Sequence, residues 1–200
     1  MLACAGDSAH DAQHVYRVLR MAKYLSRFEE RVDEDVLTAA CLLHDIGRPA
    51  QFADPSLSHA AVGAEQAYAF LLELGESRDF AQRVADCIRT HSYRRKDPPR
   101  SVEAKLLFDA DKLDVCGALG VARTLLYQGR MNLPLYETDA AGKPSRRVHG
   151  EEESFFSEAD GKLLEVHHRM FTAEGARLAA KRRAALDGFV QALWEEIQPL

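Results

Sequence analysis

The chain has 200 residues, 46% apolar and 28% charged, a balance that lets an ordinary globular domain bury a core without disulfide or metal staples. Its net charge of −5 argues against broad, non-specific nucleic-acid binding, and no run approaches the roughly 20 apolar residues of a membrane span. The four cysteines form no CxxC pair, and no basic or long apolar segment accompanies the opening "MLACAG", so we expect a cytoplasmic protein with reduced thiols and no signal peptide.

Taken in chain order, the predicted elements are helices. Val15, Val18, Leu19, Ala22 and Leu25 recur at helical spacing between Ala12 and Phe28. Asp33 or Asp35 is placed to cap a second helix, which ends near Gly47 with Pro49 beyond it. A third pattern runs from about Ser56 to Leu74 and stops at Gly75; a fourth runs from Arg78 to about His91, ahead of the breaker "RRKDPPR". The fifth starts near Ser101 and continues to about Tyr127. From 128 to 153 the periodicity lapses into a loop with Pro134, Gly142, Pro144, Gly150 and the basic residues Lys143, Arg146 and Arg147. The last helical region covers about 154–200, with breaks expected at Gly161, Gly175 and Gly188. No strand and no internal repeat is evident, so the expected fold class is all-α, with residues 1–200 forming a single domain whose C-terminal helices pack on its core.

The polar residues on the apolar faces carry the functional signal. At 100° per residue, His14 lies with Val18 and Leu25 on the first helix. His44 continues the line of Leu37, Ala40 and Cys41, His91 that of Val84, Cys87 and Ile88, and Asp111 that of Ala104 and Leu107. Asp114 follows Asp111 on the same face. One inward histidine is most often a satisfied core residue. Several helices that each aim an imidazole or a carboxylate inward are harder to satisfy, because an unpaired buried carboxylate costs several kcal/mol or titrates to neutrality. A shared cation keeps the carboxylates ionised and the imidazoles neutral. Imidazoles and carboxylates together suit Mn, Fe, Co, Ni, Zn or Mg.

The motifs "HVYRVL" from His14, "LLHDIG" with His44 and Asp45, "THSY" at His91 and "DADKLD" with Asp111 resemble the HD-domain superfamily of metal-dependent phosphohydrolases, in particular its small bacterial branch of predicted hydrolases. The likeness extends through "GALGVARTLLY" into "GKLLEVHHRMF" and covers nearly the whole chain. It implies an HD-domain helical bundle around a divalent metal held by His14, His44, Asp45 and Asp111. His59 and His91 fall where members with two ions place further ligands, so the resemblance leaves one ion or two open. It places Arg17, Arg48, Lys112 and Lys162 as substrate-binding cations, with Asp45, Asp111, Asp114 and Lys112 in the reaction. The implied substrate is a small phosphorylated metabolite, foremost a nucleotide, cleaved by a phosphatase or pyrophosphohydrolase. Two alternatives remain: a catalytically silent module that binds nucleotide and metal, and a di-iron oxygenase.

The sequence also departs from the family pattern. Arg48 stands three residues after the HD aspartate, where other branches carry lysine or an acid, so no general base is assigned by likeness. No "GYP" element follows His91, which argues against a cyclic-dinucleotide phosphodiesterase. His10, one turn before His14, reads as part of the cap region. Arg123 follows Lys112 on what reads as one continuous helix, which would set the two roughly 16 Å apart. Oligomeric state is not legible, and no membrane association or stable nucleic-acid partner is expected.

Overall fold

The computed structural model describes residues 12–92, 97–146 and 154–198 and is almost entirely helical. It divides into two compact units, one ending at Asp111 and the other beginning at Lys112.

The first unit begins with α1 (Ala12–Leu25), which buries Val15, Val18, Ala22 and Leu25 on the face the periodicity predicts and passes into a 3-10 turn at Ser26–Phe28. Helix α2 (Glu34–Leu43) is capped by Asp33, whose carboxylate accepts from the backbone N–H groups of Asp35 and Val36. A short α3 (Arg48–Ala53) follows, then α4 (His59–Glu73) and α5 (Arg78–Thr90), each capped by a serine, Ser58 and Ser77. Helix α2 ends at Leu43, short of the expected Gly47, and Pro49 lies in the first turn of α3, where its missing N–H costs nothing. Helix α6 (Val102–Leu113) carries Leu106 and Leu107 fully buried.

A polar tie holds the helices of this unit in register. The Asp33 N–H donates to the buried Glu103 carboxylate of α6 at 2.9 Å, and the Asp33 carboxylate pairs with Arg83 of α5 at 2.8 Å. Two to three turns farther on, α2, α5 and α6 present His44, His91 and Asp111.

The second unit contains α7 (Gly117–Met131), a small antiparallel hairpin, short helical turns and the long α9 (Ala173–Ile197). The expected single helix from 101 to 127 is interrupted between Leu113 and Gly117. Gly117 has φ +69°, and a Cβ there would stand 2.9 Å from the Cβ of Arg182, so the break needs glycine on both counts. The geometry expected between Lys112 and Arg123 therefore does not hold.

Helix α7 continues into the expected loop and ends at Asn132 in the left-handed region, φ 55°. The hairpin pairs β1 (Glu137–Thr138) with β2 (Pro144–Ser145), Glu137 opposite Ser145. Strands of two residues leave no alternation to read. After α8 (Phe155–Glu158) come a π-helical turn at Ala159–Leu163, which absorbs Gly161, and a 3-10 turn at Val166–Arg169. Gly175 and Gly188 lie inside α9 and do not break it. Phe155, Phe156, Leu163 and Leu186 form the buried core of this unit, and Trp194 packs on it. Arg146, expected as a loose loop cation, hydrogen-bonds the Asp160 carboxylate through Nε at 3.1 Å and lies over the Phe156 ring at 5.0 Å. Arg147 and His10 lie outside the described residues.

Candidate metal centre

Three helices and the turn after α2 bring four side chains of the first unit together. His14 Nε2 lies 3.2 Å from His44 Nε2 and 3.5 Å from an oxygen of Asp45 and of Asp111. His44 Nε2 lies 3.5 Å from the same Asp45 oxygen, Oδ2. Donor atoms about 2.1 Å from one ion stand roughly 3.0–3.4 Å apart across a right or tetrahedral angle, so these separations are near those of a coordination sphere. His14, His44 and Asp45 are at most 1% exposed, and Asp111 is 9% exposed.

The local structure explains why the imidazoles point inward. His44 closes α2, and its Nδ1 lies 2.8 Å from the carbonyl of Cys41. His91 closes α5 in the same way, Nδ1 to the Ile88 carbonyl at 2.6 Å. Each ring donates to a carbonyl in the last turn of its own helix, where the i to i+4 ladder runs out. That bond places the proton on Nδ1 and leaves the Nε2 lone pair facing the cluster.

Burial drives the His44 pKa down to about 4 and that of His59 to about 2, the latter helped by the Arg48 charge. Both rings are therefore neutral near pH 7. Burial alone would raise the Asp45 carboxyl, but Arg48 and the surrounding imidazoles outweigh it and hold the group well below the ordinary carboxylate range.

Among the described residues, Asp45 Oδ2 and His91 Nε2 are buried and make no hydrogen bond. An unsatisfied buried polar atom costs about 1–3 kcal/mol, more when charged, so both atoms call for an electropositive partner. A divalent cation fits: neutral imidazoles and ionised carboxylates form a hard-to-borderline donor set, and an ion beside Asp45 Oδ2 removes the cost of leaving it bare.

A second group adjoins the first. Asp45, His59 and His91 also bring ligand atoms within 4.8 Å of one another, and the His91 ring lies 5.3 Å from that of His44 and 5.2 Å from that of His59. His59 begins α4, and its position depends on a close backbone approach. A Cβ on Gly47 would stand 2.2 Å from the His59 carbonyl oxygen and 2.6 Å from the Gly63 nitrogen, so the turn after the His44–Asp45 pair seats directly on α4.

The remaining candidates are placed as follows. Arg17 lies one turn after His14 on α1 and is partly exposed. Arg48 donates from Nε to Asp45 Oδ1 at 2.9 Å and from a terminal nitrogen to Gln51 at 3.1 Å. Lys112 follows Asp111 on α6 and is buried at 8% exposure. Asp114 is buried and paired with Arg123, 2.9 Å to the carboxylate and 3.2 Å to the backbone carbonyl, which gives Arg123 a structural partner. Lys162, in the second unit, is engaged by Glu158. Sequence reasoning missed the Asp45–Arg48 pair, the Glu103 tie and the contact of Gly47 with α4. The glycine in the turn after the HD pair and Gly63 in the first half of α4 were the available signals for that contact.

The helices carry an ordered His/His-Asp/Asp cluster whose His14, His44 and Asp45 could hold a metal ion. The chain belongs to the HD-domain family, whose model matches residues 11–116. It is 30% identical over 196 residues to the uncharacterized protein YpgQ of Bacillus subtilis, covering 96% of this chain and 86% of that protein. The crystal structure of YpgQ in complex with ADP is similar with a TM-score of 0.73 at 27% identity, covering 98% of this chain and 93% of that one. An HD-superfamily hydrolase from Bacillus thuringiensis is similar with a TM-score of 0.65 at 29% identity, covering 94% and 86% of the two chains. No helix among the described residues is long and apolar enough to cross a membrane.

Proposed function

We propose that the protein is a phosphohydrolase that uses a divalent metal to cleave a phosphate ester or anhydride bond of a small phosphorylated metabolite, with nucleotides as the leading class. The observation that carries the metal-dependent part is the convergence of His14 and His44 on the bare, buried Asp45 Oδ2, with Asp111 3.5 Å from His14 Nε2. The similarity to YpgQ, whose crystal structure contains ADP, supports the nucleotide class.

When bound, a divalent ion polarises a phosphoryl oxygen and lowers the pKa of water at its open positions. The chain supplies the rest. Nδ1 of His44 is committed to its own helix, which fixes the ring as a neutral donor. His91 holds a buried lone pair at Nε2 that can accept a hydrogen bond from water. Arg17, one turn after His14 on α1, and Lys112, next in sequence to Asp111 on α6, supply positive charge for substrate phosphates. In this reading Asp114 acts through the turn it holds with Arg123 rather than on the substrate.

The deciding experiment is a screen of the metal-loaded protein against nucleoside mono-, di- and triphosphates and simple phosphate esters, reading phosphate and pyrophosphate separately. Turnover that disappears in metal-stripped buffer and returns on reloading is the expected result. Tight nucleotide and metal binding with no turnover would select a silent binding module instead. The second triad is the observation that favours a two-ion reading, and two bound irons with an oxygen-dependent reaction would select the oxygenase.

A further inference from the structure

Asp45 turns its two carboxylate oxygens to two different neighbourhoods. Oδ2 faces His14 and His44, each at 3.5 Å. Oδ1 faces His91 Nε2 at 3.8 Å and accepts Arg48 Nε–H at 2.9 Å. We infer that the Arg48 guanidinium takes the place of a second cation on Asp45 and makes this a one-ion centre, although His59 and His91 stand ready as imidazole ligands for another. The inference rests on the metal-binding reading of the cluster and adds to it the residue that sets the number of ions.

A carboxylate that bridges two divalent ions gives one oxygen to each. With Oδ2 turned to the first group, Oδ1 is the oxygen a second ion would need, and a guanidinium N–H already bonds it. An ion about 2.1 Å from Oδ1 would lie within roughly 5 Å of Arg48 Nε, since that nitrogen is itself 2.9 Å from the same oxygen. A divalent and a guanidinium charge that close, at a site where Asp45 is 1% exposed, repel strongly.

Arg48 cannot relieve the repulsion by losing a proton, because a guanidinium stays charged in proteins. It is also held in place: it donates to Gln51 Oε1 at 3.1 Å, and the Gln51 amide donates on to the Leu57 carbonyl at 3.3 Å. The ligand spacing agrees. In the first group His14 Nε2 stands 3.2–3.5 Å from its donor neighbours, whereas His91 Nε2 remains 3.8 Å from its Asp45 oxygen. A lysine at this position would present a mobile point charge with no second arm to anchor it. Arginine preceded by the tight Gly47 turn gives a fixed one.

The test uses the full chain, stripped of metal and reloaded with manganese, and reads bound metal per chain by elemental analysis. Electron paramagnetic resonance of the same samples distinguishes isolated from exchange-coupled ions. Wild type, Arg48→Met, Arg48→Gln and the double variant Arg48→Met/His91→Ala are compared, with circular dichroism to verify the fold of each. We expect one ion in wild type, two with coupling in both single variants, and a return to one in the double variant. Two ions in wild type would overturn the inference while leaving the metal centre standing. One ion in wild type and in both folded single variants would overturn it equally. No ion in wild type would refute the metal-binding reading itself, and this inference with it.

Discussion

Gly47→Ala tests how the turn after the His44–Asp45 pair is seated. Gly47 has φ −81° and ψ −3°, which alanine adopts without strain, so any loss of stability has to come from packing. The added methyl would stand 2.2 Å from the His59 carbonyl oxygen, more than 1 Å short of ordinary contact, and 2.6 Å from the Gly63 nitrogen. Both are backbone atoms, so no side chain can swing away. The turn must retreat from α4, or the first turn of α4 must shift and carry His59 with it. Overpacking of this kind costs about 1–3 kcal/mol, against which alanine returns about 0.4–1 kcal/mol by restricting the unfolded chain. A net loss of about 1–2 kcal/mol lowers the melting temperature of a chain this size by roughly 2–8 °C. Thermal and urea unfolding of the metal-stripped protein measure it. Gly188→Ala in α9, where an added Cβ meets nothing within 4 Å, is the control and should leave stability unchanged or slightly raised. A Gly47→Ala protein as stable as wild type, beside a well-behaved Gly188→Ala, would show that the turn and α4 are not in backbone contact.

Asp111→Ala should lose most of its bound metal and all metal-dependent turnover, because it removes the carboxylate 3.5 Å from His14 Nε2; full metal content measured by elemental analysis would exclude Asp111 as a ligand. Lys112→Ala should keep its metal and slow turnover more for triphosphate than for monophosphate substrates, as more negative charge goes unpaired; equal, small effects on both would mean that Lys112 does not meet the reacting phosphates. Acid should destabilise the metal-free protein: a histidine whose folded pKa of about 4 lies below its unfolded value near 6.5 binds fewer protons when folded, so stability falls as pH drops through that window, by up to about 3 kcal/mol for His44. Asp45, whose pKa is depressed, loses its contribution only below the ordinary carboxylate value, so urea midpoints that stay flat between about pH 6.5 and 4.5 would contradict neutral burial of His44.

Helical periodicity made the inward-facing polar residues legible because burial follows the 3.6-residue turn. His14 with Val18, and His44 with Leu37 and Cys41, share a buried face, as the spacing predicts. Asp33 was legible as a cap for the same local reason: its carboxylate reaches N–H groups only two and three residues on. The break before Gly117 was not legible, since "KLDVCGALG" keeps its apolar spacing and contains no proline. The constraint on Gly117 comes from Arg182, far along the chain, where no local pattern shows it. Arg48 was read as a substrate cation because charge is visible in a sequence and its partner is not. Its bond to Asp45 depends on the chain turning at Gly47 and re-entering a helix through Pro49.

That turn also explains why a histidine and an aspartate stand side by side at the end of an apolar helix. Inside α2 a buried imidazole would find every backbone carbonyl already engaged. At the last turn the Cys41 carbonyl can accept Nδ1–H, so His44 satisfies one nitrogen locally and can turn the other toward the cluster. Asp45, one residue on and outside the helix, is released from its geometry and can set its two oxygens toward different partners, Oδ2 to the imidazoles and Oδ1 to Arg48. Two residues earlier, at Leu43, the carboxylate would sit within α2 itself. Two residues later stands Gly47, where the approach of α4 leaves no room even for a methyl group. The adjacency of the pair is thus set by where the helix runs out of hydrogen-bonding partners and where the chain meets α4.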